Sequence, residues 1–226
     1  MTESTPVVLL HGFATSSART WGENGWLDLL ADAGRATVPI DLLGHGTAEK
    51  PHDPAAYADL EGWVAERLPA AGGPVDAIGF SMGARLLLGV AGARPGRFRR
   101  IVTLGVGRNL FESSGNDAIL RAVESGADPE NPAATYFARL ADHPDADRAA
   151  LAACLRAPLR RLTAEDCARV TVPVLVVIGA RDFAGPGEPL AEALPDARLV
   201  VLPGADHFST PKDFGALDAA LRFLED

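Results

Sequence analysis

Six short runs rich in Val, Ile and Leu recur along this chain, and they constrain its fold more than any other feature: PVVLLHG (6–12), ATVPIDLLG (36–44), VDAIGFS (75–81), RRIVTLG (99–105), PVLVVIGA (173–180) and ARLVVLPGA (197–205). They are near-continuous rather than alternating, the pattern of strands covered on both faces. Helix-like stretches lie between them. Residues 55–68 set Tyr57, Leu60, Val64 and Leu68 along one face, and 211–225 do the same with Phe214, Leu217, Leu221 and Leu224. Strand and helix in this alternation predict an α/β fold with a mostly parallel central sheet flanked by helices. One interval breaks the rhythm. From 107 to 170 no strand-like run appears, which is too long for an ordinary connection and reads as a small helical lid or cap inserted in a single domain spanning 1–226.

The stretch VDAIGFSMGARLLLGV (75–90) contains a serine between two flanking glycines, where an apolar run turns directly into a helix pattern. Gly79 and Gly83 remove side chains where strand and helix crowd together. Ser81 therefore stands on a tight corner with its hydroxyl directed outward. A hydroxyl is a poor nucleophile until a base takes its proton and an acid holds that base. Of five histidines, His52 and His143 sit beside prolines in polar stretches and read as solvated. His11 and His45 follow the first two strands and read as loop supports. His207 follows the last strand, and Asp182 the one before it. In a parallel sheet these strand ends gather on one edge, where ligands bind. A carboxylate from the loop after the 99–105 strand is the rival to Asp182, but that loop offers Arg108 and Asn109 before any acid. Asp206, adjacent to His207, reads as a turn former.

These residues carry a resemblance. HGF (11–13), DLLGHG (41–46), GFSMG (79–83), GARD (179–182) and GADHF (204–208) occur in order, each after a strand-like run. With them the chain resembles α/β-hydrolase-fold proteins over nearly its whole length. The resemblance implies Ser81 as nucleophile, His207 as base and Asp182 as the carboxylate that orients it. It also implies an oxyanion hole from the backbone N–H groups of Phe13 and Met82. Two positions depart from the common pattern: Ala84 stands where many relatives have glycine, and Thr47 where many have serine. Neither touches the three reactive residues. Leu110, Phe111, Tyr136, Phe137, Phe183 and Phe208 are the candidate pocket wall, although Leu110, Phe111, Tyr136 and Phe137 serve equally well as the insertion's own core.

Composition excludes several classes. With 21 basic against 30 acidic residues the net charge is −9, which argues against a nucleic-acid or anionic-membrane partner. The N-terminal MTESTP has neither a basic start nor a long apolar stretch, so a signal peptide and a membrane span are not expected and the cytoplasm is the expected location. Cys154 and Cys167 lack metal-ligand spacing, and neither metal, organic cofactor nor disulfide is expected. The insertion nearly balances eight arginines against ten acidic residues. The expected function is hydrolysis of carboxylic esters of small, largely uncharged molecules. The same three residues also serve C–C, thioester, lyase or perhydrolase chemistry, and a non-catalytic receptor is the remaining alternative. The sequence leaves substrate and oligomeric state open.

Overall fold

The computed structural model describes residues 5–70, 73–112, 117–126, 131–158 and 160–225. Six strands form one sheet: β1 (Val7–Leu10), β2 (Thr37–Ile40), β3 (Val75–Phe80), β4 (Phe98–Leu104), β5 (Val174–Gly179) and β6 (Ala197–Leu202). Their order is β2-β1-β3-β4-β5-β6, and every neighbouring pair is parallel. The chain order reverses between β1 and β3, so the loops leaving these two strands diverge and open a crevice at the carboxyl edge.

The helices are α1 (Trp26–Asp32), α2 (Leu60–Arg67), α3 (Met82–Ala93), α4 (Asp117–Ser125), α5 (Pro132–Ala141), α6 (Arg148–Arg156), α7 (Ala164–Ala168), α8 (Glu188–Ala193) and α9 (Phe214–Glu225). Strand side chains alternate between two cores. Val8, Leu10, Ala77, Ile101 and Val176 join α2, α3, α7 and α8 on one face. Val7, Leu9, Ile78, Val102 and Val177 join α1 and α9 on the other, with Trp21, Trp26 and Phe223. The apolar runs are continuous because both faces are filled. Each fully buried Val or Leu contributes roughly 1.5–3 kcal/mol from leaving water.

Three sequence expectations are revised. The stretch 55–68 is a 3₁₀ turn (Pro54–Tyr57) followed by α2 rather than one helix. Asp59 interrupts it, its carboxylate accepting the Gly62 N–H at 2.8 Å and so starting α2 afresh. Tyr57, Leu60, Val64 and Leu68 are nonetheless all buried. Phe214 is not on the docked face of the last helix: it opens α9 at 85% exposure, while Leu217, Ala220, Phe223 and Leu224 face the sheet. Between β4 and β5 lie α4–α7, but α7 packs against α3 in the layer beside the sheet. Only α4, α5 and α6 pack on one another above the carboxyl edge, through Val123, Phe137, Ala141 and Leu151. Within 107–170, residues 113–116, 127–130 and 159 lie outside the described residues, as do 1–4 at the N-terminus.

At the opposite edge of the sheet, Asp76 is fully buried and accepts from both Arg35 and Arg99, the latter through Nε at 2.8 Å and Nη2 at 2.7 Å. Both guanidiniums also hold the carbonyl of Leu224, which ties the end of α9 to β3. Among the described residues, no helix is long and apolar enough to cross a membrane.

Candidate active site

Ser81 occupies the corner between β3 and α3 with φ +51° and ψ −111°, a left-handed conformation that a residue with a Cβ adopts only under constraint. The constraint is visible on both sides. A Cβ on Gly79 would lie 2.6 Å from the backbone of Ala84, and one on Gly83 would lie 2.2 Å from the Leu10 carbonyl oxygen. The two glycines let helix, strand and the neighbouring β1 approach this closely. The Ser81 N–H donates to the Leu104 carbonyl at 2.8 Å and locks the turn to β4.

His207 arrives from the loop after β6 and Asp182 from the loop after β5. His207 Nε2 lies 3.0 Å from Ser81 Oγ, and His207 Nδ1 lies 2.9 Å from Asp182 Oδ1. With Nδ1 donating to the carboxylate, Nε2 presents its lone pair to the serine hydroxyl. Asp182 Oδ1 also accepts the Ala184 N–H at 2.8 Å, while Oδ2 is buried without a partner among the described residues. Only 2% of His207 is exposed, and three rings hold its orientation: Phe183 at 4.2 Å, Phe80 at 5.1 Å and Phe208 edge-on at 5.4 Å. Asp206 instead folds onto its own loop, its carboxylate accepting the Ser209 N–H at 2.8 Å.

Met82 is the first residue of α3, so its N–H has no intrahelical acceptor. The Phe13 N–H likewise finds no acceptor among the described residues. Both follow strands that are neighbours in the sheet, β1 and β3.

The loops beneath are held by a neutral histidine pair. The Leu42 N–H donates to His11 Nε2 at 3.0 Å, so Nδ1 carries the proton and gives it to the Gly12 carbonyl at 2.7 Å. His45 donates from Nδ1 to the Leu43 carbonyl at 2.9 Å, and its ring meets Phe13 edge-on at 5.5 Å. Burial pushes His11 down to about 4, against the Gly12 hydrogen bond and Asp41. Burial, followed by the neighbouring His11, pushes His45 down to about 3. Asp41 secures the same loops. Burial works to raise it, but the Ser17 and Thr47 N–H groups and the Thr47 hydroxyl outweigh burial and hold its carboxyl below the usual range.

A pH dependence follows. Unfolded imidazoles take up protons as the pH falls through about 6.5, whereas His11 and His45 in the folded chain stay neutral until about 4 and 3. The unfolded state then binds more protons, so stability is lost as pH falls below 6.5. The melting temperature should drop between about pH 7 and pH 5, before most carboxylates titrate. A melting curve unchanged over that interval would show that these two imidazoles charge without cost.

Two cavities meet at Ser81. One, of about 110 Å³, has Phe13, Phe80, Tyr136, Phe137, His207 and Phe208 among its walls. The other, of about 170 Å³, includes Met82, Leu110, Ile119, Phe137, Leu155 and Phe183. Five of the six expected wall residues therefore line one cavity or the other. Phe111 lines neither: it packs half-buried against the main core. Sequence reasoning missed the segment after β1, from which Thr15, Arg19, Thr20, Glu23 and Asn24 line the smaller cavity. Its signal was available, since it is the loop leaving a strand at the same carboxyl edge. Cys154 touches the larger cavity, but burial pushes its thiol up to about 12, which removes it as a nucleophile. Among the described residues no cluster of three or more His, Cys, Asp or Glu is arranged to hold a metal ion.

Known structures share this framework. The enol-lactonase from Burkholderia xenovorans LB400 is similar with a TM-score of 0.78 at 21% identity, over 99% of this chain and 92% of that one. The bromoperoxidase from Bacillus anthracis is similar with a TM-score of 0.76 at 21% identity, over 99% and 92%. The 2-hydroxy-6-oxo-6-phenylhexa-2,4-dienoate hydrolase from Rhodococcus sp. strain RHA1 is similar with a TM-score of 0.72 at 20% identity, over 98% and 90%. A search of curated protein sequences returned no match. At these identities the shared architecture speaks for the fold, and three differently named activities on it show why the fold does not name a reaction. Membership rests on the sequence itself: the model of the alpha/beta hydrolase family matches residues 7–217, nearly the whole chain, and to that family the chain belongs.

Proposed function

We propose that this protein is a serine hydrolase of small carboxylic esters. The observation that carries the reading is the unbroken hydrogen-bond line from Asp182 through His207 to Ser81, at 2.9 and 3.0 Å. Ser81 Oγ attacks the ester carbonyl carbon while His207 Nε2 takes the hydroxyl proton. The carbonyl oxygen gains the electron pair and turns to the N–H groups of Phe13 and Met82. The tetrahedral centre collapses, the C–O bond to the alcohol breaks, and the departing oxygen takes the proton from Nε2. Water then attacks the acyl-enzyme, giving its proton to His207, which returns it to Ser81 as the acid leaves. Asp182 keeps the imidazole in the required tautomer and stabilises its charged form. In this reading α4–α6 are the cover over the site, and the compartment is the cytoplasm, in keeping with two free cysteines.

A chain-length series of p-nitrophenyl esters tests the reading. The larger cavity, about 170 Å³, is the roomier side of Ser81. Each added methylene gains about 0.8 kcal/mol only while it finds apolar wall. kcat/KM should therefore peak at roughly two to six acyl carbons. A maximum at long chains would mean a tunnel in place of a pocket, and no turnover of any member would remove the ester reading.

A further inference from the structure

The two cavities share Phe13, Ser81 and Phe137 and otherwise differ in chemistry. The proton path tells them apart. His207 must hand its proton to the departing oxygen, so the leaving group lies in the cavity that His207 lines; the acyl group lies in the other, beside Met82. His207 lines the smaller cavity, whose walls include Thr15, Arg19, Glu23, Asn24, Tyr136 and Lys212. The acyl side is walled by Met82, Val106, Leu110, Ile119, Leu155 and Phe183.

Two polar residues also reach the acyl side, and both are committed elsewhere. Arg85 donates to the Arg160 carbonyl, and Asn109 accepts the Gly107 N–H at 3.1 Å. Arg19 is different. Its side chain is 15% exposed, its nearest carboxylate oxygen (Asp145 Oδ1) stands off at 3.8 Å, and its buried Nη1 has no hydrogen-bond partner among the described residues. Nη1 is the atom turned to Asp145, in an ion pair too long for a hydrogen bond, so the guanidinium charge is only loosely met and an anion in the cavity that Arg19 lines gives it a second, closer partner. Arg19 also sits in a π-helical turn, Ala18–Gly22, closed by the Glu23 N–H on the Ala18 carbonyl at 2.9 Å. Such turns re-aim side chains and recur at functional sites. Asn24 fixes this one by donating to the carbonyls of Arg19 and Thr20 at 3.1 and 2.9 Å. At the outer wall the exposed Glu23 and Lys212 carry opposite charges, and Arg19 is the least exposed of the three charged side chains that line this cavity.

We infer that the preferred substrate carries a carboxylate on its leaving group, received by Arg19, and an apolar acyl group on the other side of Ser81. This rests on the ester-hydrolase reading and departs from the expected uncharged substrate on the alcohol side alone.

Four esters test it: phenyl butyrate, 3-carboxyphenyl butyrate, phenyl hexanoate and monophenyl adipate, the last with its carboxylate on the acyl side. The wild-type kcat/KM should be about tenfold or more higher for 3-carboxyphenyl butyrate than for phenyl butyrate, the value of one charge-assisted hydrogen bond. Monophenyl adipate should fall below phenyl hexanoate. In Arg19→Gln the carboxyl preference should approach one. A measurement without any variant guards against misfolding: 3-hydroxybenzoate should compete with phenyl butyrate about tenfold more strongly than phenol. Turnover of phenyl butyrate with no carboxyl preference and no selective inhibition overturns this inference and spares the ester reading. A preference for monophenyl adipate over phenyl hexanoate overturns it by exchanging the two sides. Inertness toward phenyl butyrate itself removes the ester reading, and this inference with it.

Discussion

Ser81→Ala is expected to lower kcat toward short-chain esters by about 10⁶ and to abolish covalent labelling by a fluorophosphonate. The size of the loss follows from the chemistry: without Oγ no acyl-enzyme forms, and His207 and the two backbone donors are left to act on water alone. The site should survive the change in shape. Ser81 holds the corner through its backbone N–H on Leu104, which alanine keeps, and the strained φ of +51° exists before the substitution and after it. Circular dichroism and melting temperature should therefore stay close to those of the parent. Intact-mass measurement after probe treatment gives the decisive reading. One adduct is expected on the parent and none on the variant; labelling that persists in Ser81→Ala would mean that another side chain is the nucleophile.

Asp182→Asn comes next in magnitude, with kcat lower by about 10²–10⁴. Asp182 Oδ1 accepts from His207 Nδ1 and from the Ala184 N–H, so the carboxylate fixes the tautomer and the loop together. An asparagine oxygen can keep one of these contacts. If its amide nitrogen turns toward His207, the ring must present a lone pair there, and Nε2 then carries a proton and cannot take another from Ser81. The loss should appear in kcat more than in KM, because orientation of the base matters only once Oγ attacks. Fluorophosphonate labelling should slow by a similar factor while Ser81 stays the modified residue. Unchanged turnover in this variant would assign the orienting carboxylate to another loop.

What could be read from the chain alone was whatever is written in neighbouring residues. Continuous apolar runs require burial on both faces, and every one of the six became a strand of the parallel sheet. Glycines at 79 and 83 flanking Ser81 mark a corner that a Cβ at either position would block, and the corner is there. Parallel strands bring the residues after β3, β5 and β6 to one edge, so the grouping of Ser81, Asp182 and His207 was implied by their order. Tertiary structure decided what depends on partners far away in sequence. Asp59 could break 55–68 because its side chain found the Gly62 N–H, a choice that apolar spacing does not record. Phe214 has the right spacing to dock, but it opens the first turn of α9 and stays in water. Phe111 went to the main core and left the cavity walls to residues from separate segments. Arg19 faces the smaller cavity together with Tyr136 from α5 and Lys212 from the loop after β6, and no local pattern encodes that meeting. Strands and tight turns answer to backbone sterics and to burial of adjacent side chains, which are short-range in sequence. A cavity wall is the surface left between packed elements, so its chemistry is set only when the whole chain has folded.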